Sequence, residues 1–196
     1  MNFLKNGNFA DKKLDEWEPA NQGGQYPIPN EGDIHTVTDL NALRLSPGGT
    51  IGQWLDVEKV GENNSFLIKA KAQKAGQPRG TPNNPQREAS MTNPAEMTTA
   101  VDDLAKGSKI PSDAIGHLSA TITFYSGGQM AGTYNEPLFF SRLRDWHELE
   151  WYVTGPANTA WSHMRVSFMC PPHTTTYPGY IHTDIYVTNL EVHAHS

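Results

Sequence analysis

The sequence predicts an all-β fold, an antiparallel β-sandwich or barrel that forms a single domain over residues 1–196. Three observations predict it. Apolar and polar residues alternate in several runs, which is typical of antiparallel strands with one buried face and one solvated face. Glycine (17 residues) and proline (14 residues) are frequent between those runs, where turns need them. No run has clear helical periodicity, and several strands without helices indicate a sandwich or a barrel.

The alternating runs come in a defined order along the chain. In the first, Thr50–Glu58, the apolar face carries Ile51, Leu55 and Val57 and is interrupted by Gln53, whereas Trp54 and Asp56 lie on the opposite face. The apolar faces of the later runs are Phe66, Ile68, Ala70 and Ala72; Leu118, Ala120, Ile122 and Phe124; Leu149, Trp151 and Val153; and Met164, Val166, Phe168 and Cys170. Trp17, Trp146 and Trp151 are expected in or beside the core.

Residues 77–114 do not follow the strand pattern. They are polar and rich in proline, and only Met97–Leu104 has the composition of a short helix. Loops of this length inside a compact domain are functional or mobile. Two interpretations stay open: an arm that binds a ligand or other protein subunits, and a mobile insertion.

Charge and hydropathy exclude some classes of protein. The net charge is −6 and no basic run occurs, which argues against a nucleic-acid-binding protein. No apolar run approaches the roughly 20 residues that span a bilayer, so membrane insertion is not expected. The first residues contain no signal-peptide core, which indicates synthesis in the cytoplasm and leaves release or association with a virion open.

Cys170 is the only cysteine, and its apolar neighbours favour a packed thiol over a nucleophile.

Both ends of the chain carry a recognisable pattern. The chain begins with Asn2-Phe-Leu-Lys-Asn-Gly-Asn-Phe-Ala10, which reads as a first strand and a turn and is followed by Leu14-Asp-Glu-Trp17. It ends with the strand Asp184-Ile-Tyr-Val-Thr-Asn-Leu-Glu-Val192. This pairing resembles the galactose-binding-like jelly roll of carbohydrate-binding modules, in particular the xylan- and glucan-binding group attached to glycoside hydrolases.

The resemblance covers most of the chain outside residues 77–114, including the middle strands around Gln53 and Phe66. It implies a lectin-like, non-catalytic module that binds a glycan or polysaccharide. The alternative is a structural decoration or adaptor protein of a virion, phage tail or secretion particle, because this sandwich serves both roles.

The resemblance also implies one cofactor, a structural calcium ion. The family holds it with a carboxylate after the Asn-Gly-Asn-Phe turn and an aspartate in the last strand, where this chain has Ala10 and Asn189. Calcium takes about six to eight oxygen ligands, several of them carboxylates. Asp11 and Asp184, together with backbone carbonyls, are the residues that would replace the missing ligands.

Sugar-binding sites combine an aromatic ring, which packs on the C–H face of a pyranose, with polar side chains that bind its hydroxyls. The solvated strand faces and one strand start offer the following candidates: Trp54, Tyr125, Tyr152, Trp161, His163 and Arg165. Trp54 is favoured because Gly52 leaves it space and Asp56 gives it a polar companion. Packing under loops or against a partner is the competing interpretation.

Catalysis is not expected. Glu148 and Glu150 lie roughly 6.6 Å apart along one strand face, and a separation of about 6.5–9.5 Å suits inverting glycosidases. However, such a pair on a solvated face stays ionised, and no nucleotide, zinc-protease or nucleophile-elbow motif occurs. His193 with His195, and His182 with Asp184, share strand faces but need a third ligand to form a metal site.

Overall fold

The computed structural model describes residues 1–22, 26–55, 64–76, 116–141, 145–157, 161–172 and 184–195. Its strands are β1 (Glu18–Asn21), β2 (Ile34–Val37), β3 (Leu40–Leu45), β4 (Gly49–Leu55), β5 (Ser65–Gly76), β6 (Gly116–Ser126), β7 (Gln129–Phe140), β8 (His147–Thr154), β9 (His163–Met169) and β10 (Asp184–Ala194). One turn of 3₁₀ helix at Glu31–Asp33 precedes β2. The arm at 77–114, Asp56, Val57 and His182 lie outside the described residues.

The strands form two antiparallel sheets of five strands each. Sheet I has the order β1-β4-β9-β6-β7, and sheet II has the order β2-β3-β10-β5-β8. Every pairing within them is antiparallel. The predicted all-β jelly-roll sandwich is therefore confirmed. Among the described residues, no helix is long and apolar enough to cross a membrane.

The core between the sheets is built from the apolar faces that the sequence predicts. Its largest fully buried side chains include Phe66, Phe124 and Phe168. Trp17 is 5% exposed, and its ring lies 6.3 Å from that of Phe168. Trp151 packs against the core from its edge. Cys170 has no exposed surface, and burial raises the pKa of its thiol well above the ordinary value, as expected for a packed cysteine.

The segment Asn2–Ala10 is not the regular strand that the sequence predicts. It runs beside β10, where the Phe3 N–H donates to Val192 O at 2.8 Å and the Leu190 N–H donates to Gly7 O at 3.0 Å. Asn6 and Phe9 adopt φ values of 50° and 51°. Backbone in this left-handed region cannot stay extended, so the segment turns repeatedly and leaves the strand ladder.

Gln53 is the polar residue that interrupts the apolar face of β4, and it joins the amino-terminal segment to sheet I. Its side chain is 4% exposed. Oε1 accepts from the Lys5 N–H at 2.7 Å, and Nε2 donates to Lys5 O at 3.0 Å. The amide therefore pairs with a backbone unit as a neighbouring strand would, which satisfies both polar groups inside the fold.

Candidate functional site

The outer face of sheet I brings four of the predicted binding residues together. Trp54 on β4 is the cross-strand partner of Arg165 on β9. Tyr125 on β6 is the partner of His163, two residues before Arg165 on the same strand. Since side chains alternate along a strand, all four lie on the side of the sheet away from the core. We call this cluster of Trp54, Tyr125, His163 and Arg165 the Trp54 site.

Trp54 and Tyr125 form an aromatic pair across β9. Their ring centroids are 5.0 Å apart, and the ring planes are inclined by 48°. Trp54 leaves 47% of its surface exposed to solvent, and Tyr125 is half-buried. An exposed tryptophan that already contacts a second ring offers an apolar platform with a fixed orientation, which is what a pyranose ring needs.

Arg165 is held beside this platform by Glu18 of β1. Its Nη2 and Nε atoms donate to the Glu18 Oε2 atom at 3.1 and 3.3 Å. The guanidinium group reaches Glu18 by crossing Gly52, where a β-carbon would overlap it. The space beside Trp54 that the sequence attributes to Gly52 is therefore occupied by Arg165. Solvent-exposed ion pairs add little stability, so the main consequence of this contact is the position of the arginine.

His163 lies at the edge of the Trp54 site and is fixed by its neighbour in the chain. Its Nδ1 atom is 2.9 Å from the Ser162 hydroxyl oxygen. The Ser162 N–H in turn donates to Tyr125 O at 2.7 Å. The imidazole is exposed and adds a polar group on the strand position opposite Tyr125.

Short polar side chains extend the site across β6 and β7. Thr123 is the cross-strand partner of both Arg165 and Thr133, and the two threonine hydroxyls are 3.3 Å apart. One step along the strands, the Thr121 hydroxyl donates to Asn135 Oδ1 at 2.6 Å. This row of hydroxyls and amides leads away from Trp54 over the outer face of sheet I.

The other two predicted residues lie elsewhere. Trp161 is half-buried, its ring is 5.1 Å from that of Phe124, and its indole N–H donates to Asn64 Oδ1 at 3.3 Å. It therefore packs against the edge of the core. Tyr152 is 56% exposed but belongs to β8 in sheet II, where its ring lies 4.7 Å from that of His195. Hydrophobic alternation assigns a residue to a solvated face without saying which sheet carries that face.

Glu18 has no signal in the sequence. It lies in a strand of four residues, Glu18–Asn21, which is too short to show alternation. Its role depends on the pairing of that strand with β4, where Glu18 is the partner of Gly52. Such a contact between residues 147 positions apart becomes visible only in the folded chain.

The two glutamates that the sequence pairs on one strand face, Glu148 and Glu150, form ion pairs with lysines. On sheet II, Glu148 is 3.0 Å from Lys71 Nζ, and Glu150 is 2.9 Å from Lys69 Nζ. Lys71 lowers the pKa of Glu148 through a hydrogen bond and its charge. A general acid for glycoside hydrolysis needs a raised pKa. The lowered pKa of Glu148 is the opposite of what this role requires.

Metal-ligating side chains are not clustered in the described part of the chain. No group of three or more histidine, cysteine, aspartate or glutamate residues lies close enough there to hold an ion. Asp184 is fully buried and accepts from Arg44 Nε at 2.6 Å, whereas Asp11 is exposed in the amino-terminal segment. His193 is bound to Glu191 at 2.7 Å.

No protein-family model and no curated protein sequence matches the chain. Among solved structures, the chain is similar to the CBM22-1–CBM22-2 tandem domain from Paenibacillus barcinonensis Xyn10C. The TM-score is 0.56 at 12% sequence identity, and the match covers 100% of this chain and 50% of the tandem domain. The CBM22-2 xylan-binding domain of the same protein gives a TM-score of 0.54 at 11% identity, over 96% of this chain and 98% of that one.

A third similar structure is the C-terminal family 22 carbohydrate-binding module of Clostridium thermocellum Xyn10B. Its TM-score is 0.53 at 7% identity, over 98% of this chain and 94% of that one. At such identities the likeness concerns the fold, and it covers almost the whole chain. The protein thus has the jelly-roll β-sandwich fold of carbohydrate-binding modules.

Proposed function

We propose that this protein is a non-catalytic carbohydrate-binding module that binds a glycan on the outer face of sheet I. The observation that carries the proposal is the pair formed by the exposed Trp54 and the half-buried Tyr125, with ring centroids 5.0 Å apart. Large aromatic side chains are rarely left in water without a partner, and these two lie beside polar groups that suit sugar hydroxyls. The fold shared with carbohydrate-binding modules supports the same conclusion.

Trp54, Tyr125 and Arg165, and the threonines beside them, have separate tasks in this proposal. The C–H face of a pyranose packs on Trp54, and Tyr125 fixes the orientation of that ring. Arg165 donates hydrogen bonds to sugar hydroxyls from a position that Glu18 already holds, so binding costs little side-chain entropy. Thr123 and Thr133 bind the next sugar along the sheet through their hydroxyls.

The glycan that fits this site carries no net charge. Glu18 balances the charge of Arg165 at 3.1 Å. A uronic acid bound to Arg165 would have to displace Glu18 or lie next to its carboxylate, and like charges at such distances repel. A neutral polysaccharide chain can bind without displacing Glu18 and without repulsion from its carboxylate.

Binding to immobilised and soluble glycans tests the proposal with a matched pair of variants. We expect the wild-type protein to bind a neutral polysaccharide, xylan or a β-glucan, more tightly than polygalacturonate. Trp54→Ala should weaken that binding by about 30-fold or more, the loss expected for an aromatic residue that contributes about 2 kcal/mol.

Tyr152→Ala is the control, because Tyr152 is a similarly exposed aromatic residue on the other sheet. It should leave the affinity unchanged. Loss of binding in Tyr152→Ala with retention in Trp54→Ala would move the site to sheet II. Failure of the wild-type protein to bind any of these glycans would contradict the proposal. The adaptor alternative depends on the arm at 77–114, which lies outside the described residues, and no described contact favours it.

A further inference from the structure

We infer that the side-chain amide of Asn41 holds the amino-terminal turn in the place where the related modules would use a calcium ion. The turn in question spans Asn6–Ala10 and carries two residues with left-handed backbone, Asn6 and Phe9. Such a turn needs bonds from outside to persist. The chemistry of the surrounding residues shows whether an ion or a side chain makes these bonds to the turn.

The Asn41 amide occupies the backbone oxygens of the turn. Its Nδ2 atom donates to Phe9 O at 3.1 Å and to Ala10 O at 3.0 Å. Both hydrogens of the NH₂ group are used in this way. A cation bound to the same two carbonyls would face this donor group, whose partial charge is also positive.

The orientation of the amide is fixed from its other side. The two carbonyls of the turn can only accept, so the amide nitrogen faces the turn and the oxygen faces β2, where the Thr36 hydroxyl donates to Asn41 Oδ1 at 3.2 Å. The backbone carbonyl of Asn41 accepts from the buried Thr188 hydroxyl at 2.6 Å. Asn41, on β3, thus links the turn to β2 and β10.

The carboxylates that calcium requires do not reach this place. Ala10 has no side-chain oxygen, and Asp184 precedes Thr188 by four residues in β10, which corresponds to about 13 Å along the strand. Asp184 is also bound to Arg44. Among the described residues, Asp11 is not part of any group of three histidine, cysteine, aspartate or glutamate side chains that could hold an ion, and calcium takes several carboxylates. The donor set around the turn therefore does not fit calcium.

The bonds to Asn41 also secure part of the core. Phe9 is fully buried, and its ring lies 6.2 Å from that of Trp17. The Trp17 indole N–H donates to Asn6 O at 3.1 Å, at the start of the same turn. Release of the Phe9 carbonyl would loosen the position of both rings.

Thermal unfolding of Asn41→Ala and of the wild-type protein, each in millimolar calcium and in EDTA, tests the inference. We expect the wild-type melting temperature to be the same in both buffers and Asn41→Ala to lower it by about 4–8 °C in both, the shift expected for two lost hydrogen bonds in a chain of this size. Asn135→Ala is the control, because Asn135 also accepts a side-chain hydrogen bond but lies exposed on sheet I.

Nuclear magnetic resonance of the wild-type protein keeps the test decisive if Asn41→Ala does not fold. Calcium titration should leave the backbone resonances of Phe9, Ala10 and Asp11 and the Asn41 side-chain NH₂ resonances in place. Movement of these resonances with calcium would overturn the inference, as would an Asn41→Ala variant that melts at the wild-type temperature. Neither readout depends on glycan binding.

Discussion

The guanidinium group of Arg165 lies directly over Gly52, in the space that a β-carbon at position 52 would take. This contact connects the sequence of β4 with the geometry of the Trp54 site. Glycine at position 52 lets Arg165 cross β4 and reach Glu18 on β1, 3.1 Å away. A residue without a side chain thereby sets the position of a charged group next to Trp54.

Gly52→Ala should displace Arg165 and weaken glycan binding without unfolding the protein. The new methyl group meets the flexible end of the arginine side chain, so the guanidinium moves and the sheet does not. We expect the affinity for a neutral glycan to fall by about tenfold, equivalent to about 1.4 kcal/mol. Isothermal titration calorimetry measures this loss, and the melting temperature reports the integrity of the fold.

A double-mutant cycle separates this effect from any other effect of the methyl group. In an Arg165→Ala background, Gly52→Ala should change the affinity little, because the side chain that it displaces is absent. Equal losses in both backgrounds would show that Gly52 acts on the site by a route other than Arg165.

Trp54 and Trp17 should respond to alanine in opposite ways. Trp54 is 47% exposed, so Trp54→Ala should lower the free energy of unfolding by about 1 kcal/mol or less. Trp17 is 5% exposed between Phe9 and Phe168, and its replacement should cost about 3–5 kcal/mol. Chemical unfolding of both variants gives the two values. A large loss in Trp54→Ala would place that ring in a structural role.

The strands whose alternation marks one buried face could be predicted from the sequence, whereas the short β1 and the largely exposed β7 show no such pattern. The alternation of Phe66, Ile68, Ala70 and Ala72 with polar residues is a local property, and all four are at most 2% exposed. The residues of the amino-terminal segment are also compatible with a strand, but the folded segment is not one. Left-handed backbone at Asn6 and Phe9 depends on contacts with Asn41 and β10, which are remote in sequence.

The candidate site was only partly predictable for the same reason. Trp54 and Arg165 lie on solvated faces of their own strands, and periodicity identifies such faces. Their pairing depends on β4 lying next to β9, which follows from the sheet order. Glu18 and Tyr152 show what periodicity leaves out. Glu18 lies in a strand too short to show a pattern, and alternation alone does not show that Tyr152 belongs to the other sheet.

Gln53 should be essential for the attachment of the amino-terminal segment. Gln53→Ala leaves the Lys5 N–H and C=O without their partners at 2.7 and 3.0 Å. We expect a loss of about 2 kcal/mol in the free energy of unfolding, since each such bond contributes about 1 kcal/mol. Hydrogen exchange of the Lys5 amide should accelerate more than that of the amides of β6. Unchanged exchange at Lys5 would contradict this role.

Lys74 should make the protein more stable as the pH rises from about 8 to 10.5. Burial lowers the pKa of Lys74 to about 8, against the opposing influence of Cys170. Between these pH values the unfolded chain binds a proton at Lys74 that the folded chain has released, so the free energy of unfolding rises with pH. The full difference corresponds to about 3 kcal/mol. Lys74→Met should remove this rise.

Cys170 should act in the opposite direction over part of the same range. Burial, followed by the charge of Asp184, raises the pKa of its thiol well above 9.0. Above that pH the unfolded chain loses a proton that the folded chain keeps, so the free energy of unfolding falls. The free energy of unfolding of Cys170→Ala should therefore rise more steeply with pH than that of the wild type. For Lys74→Met it should fall with pH. Urea unfolding at pH 7–10.5 measures all three profiles, and identical slopes would contradict both assignments.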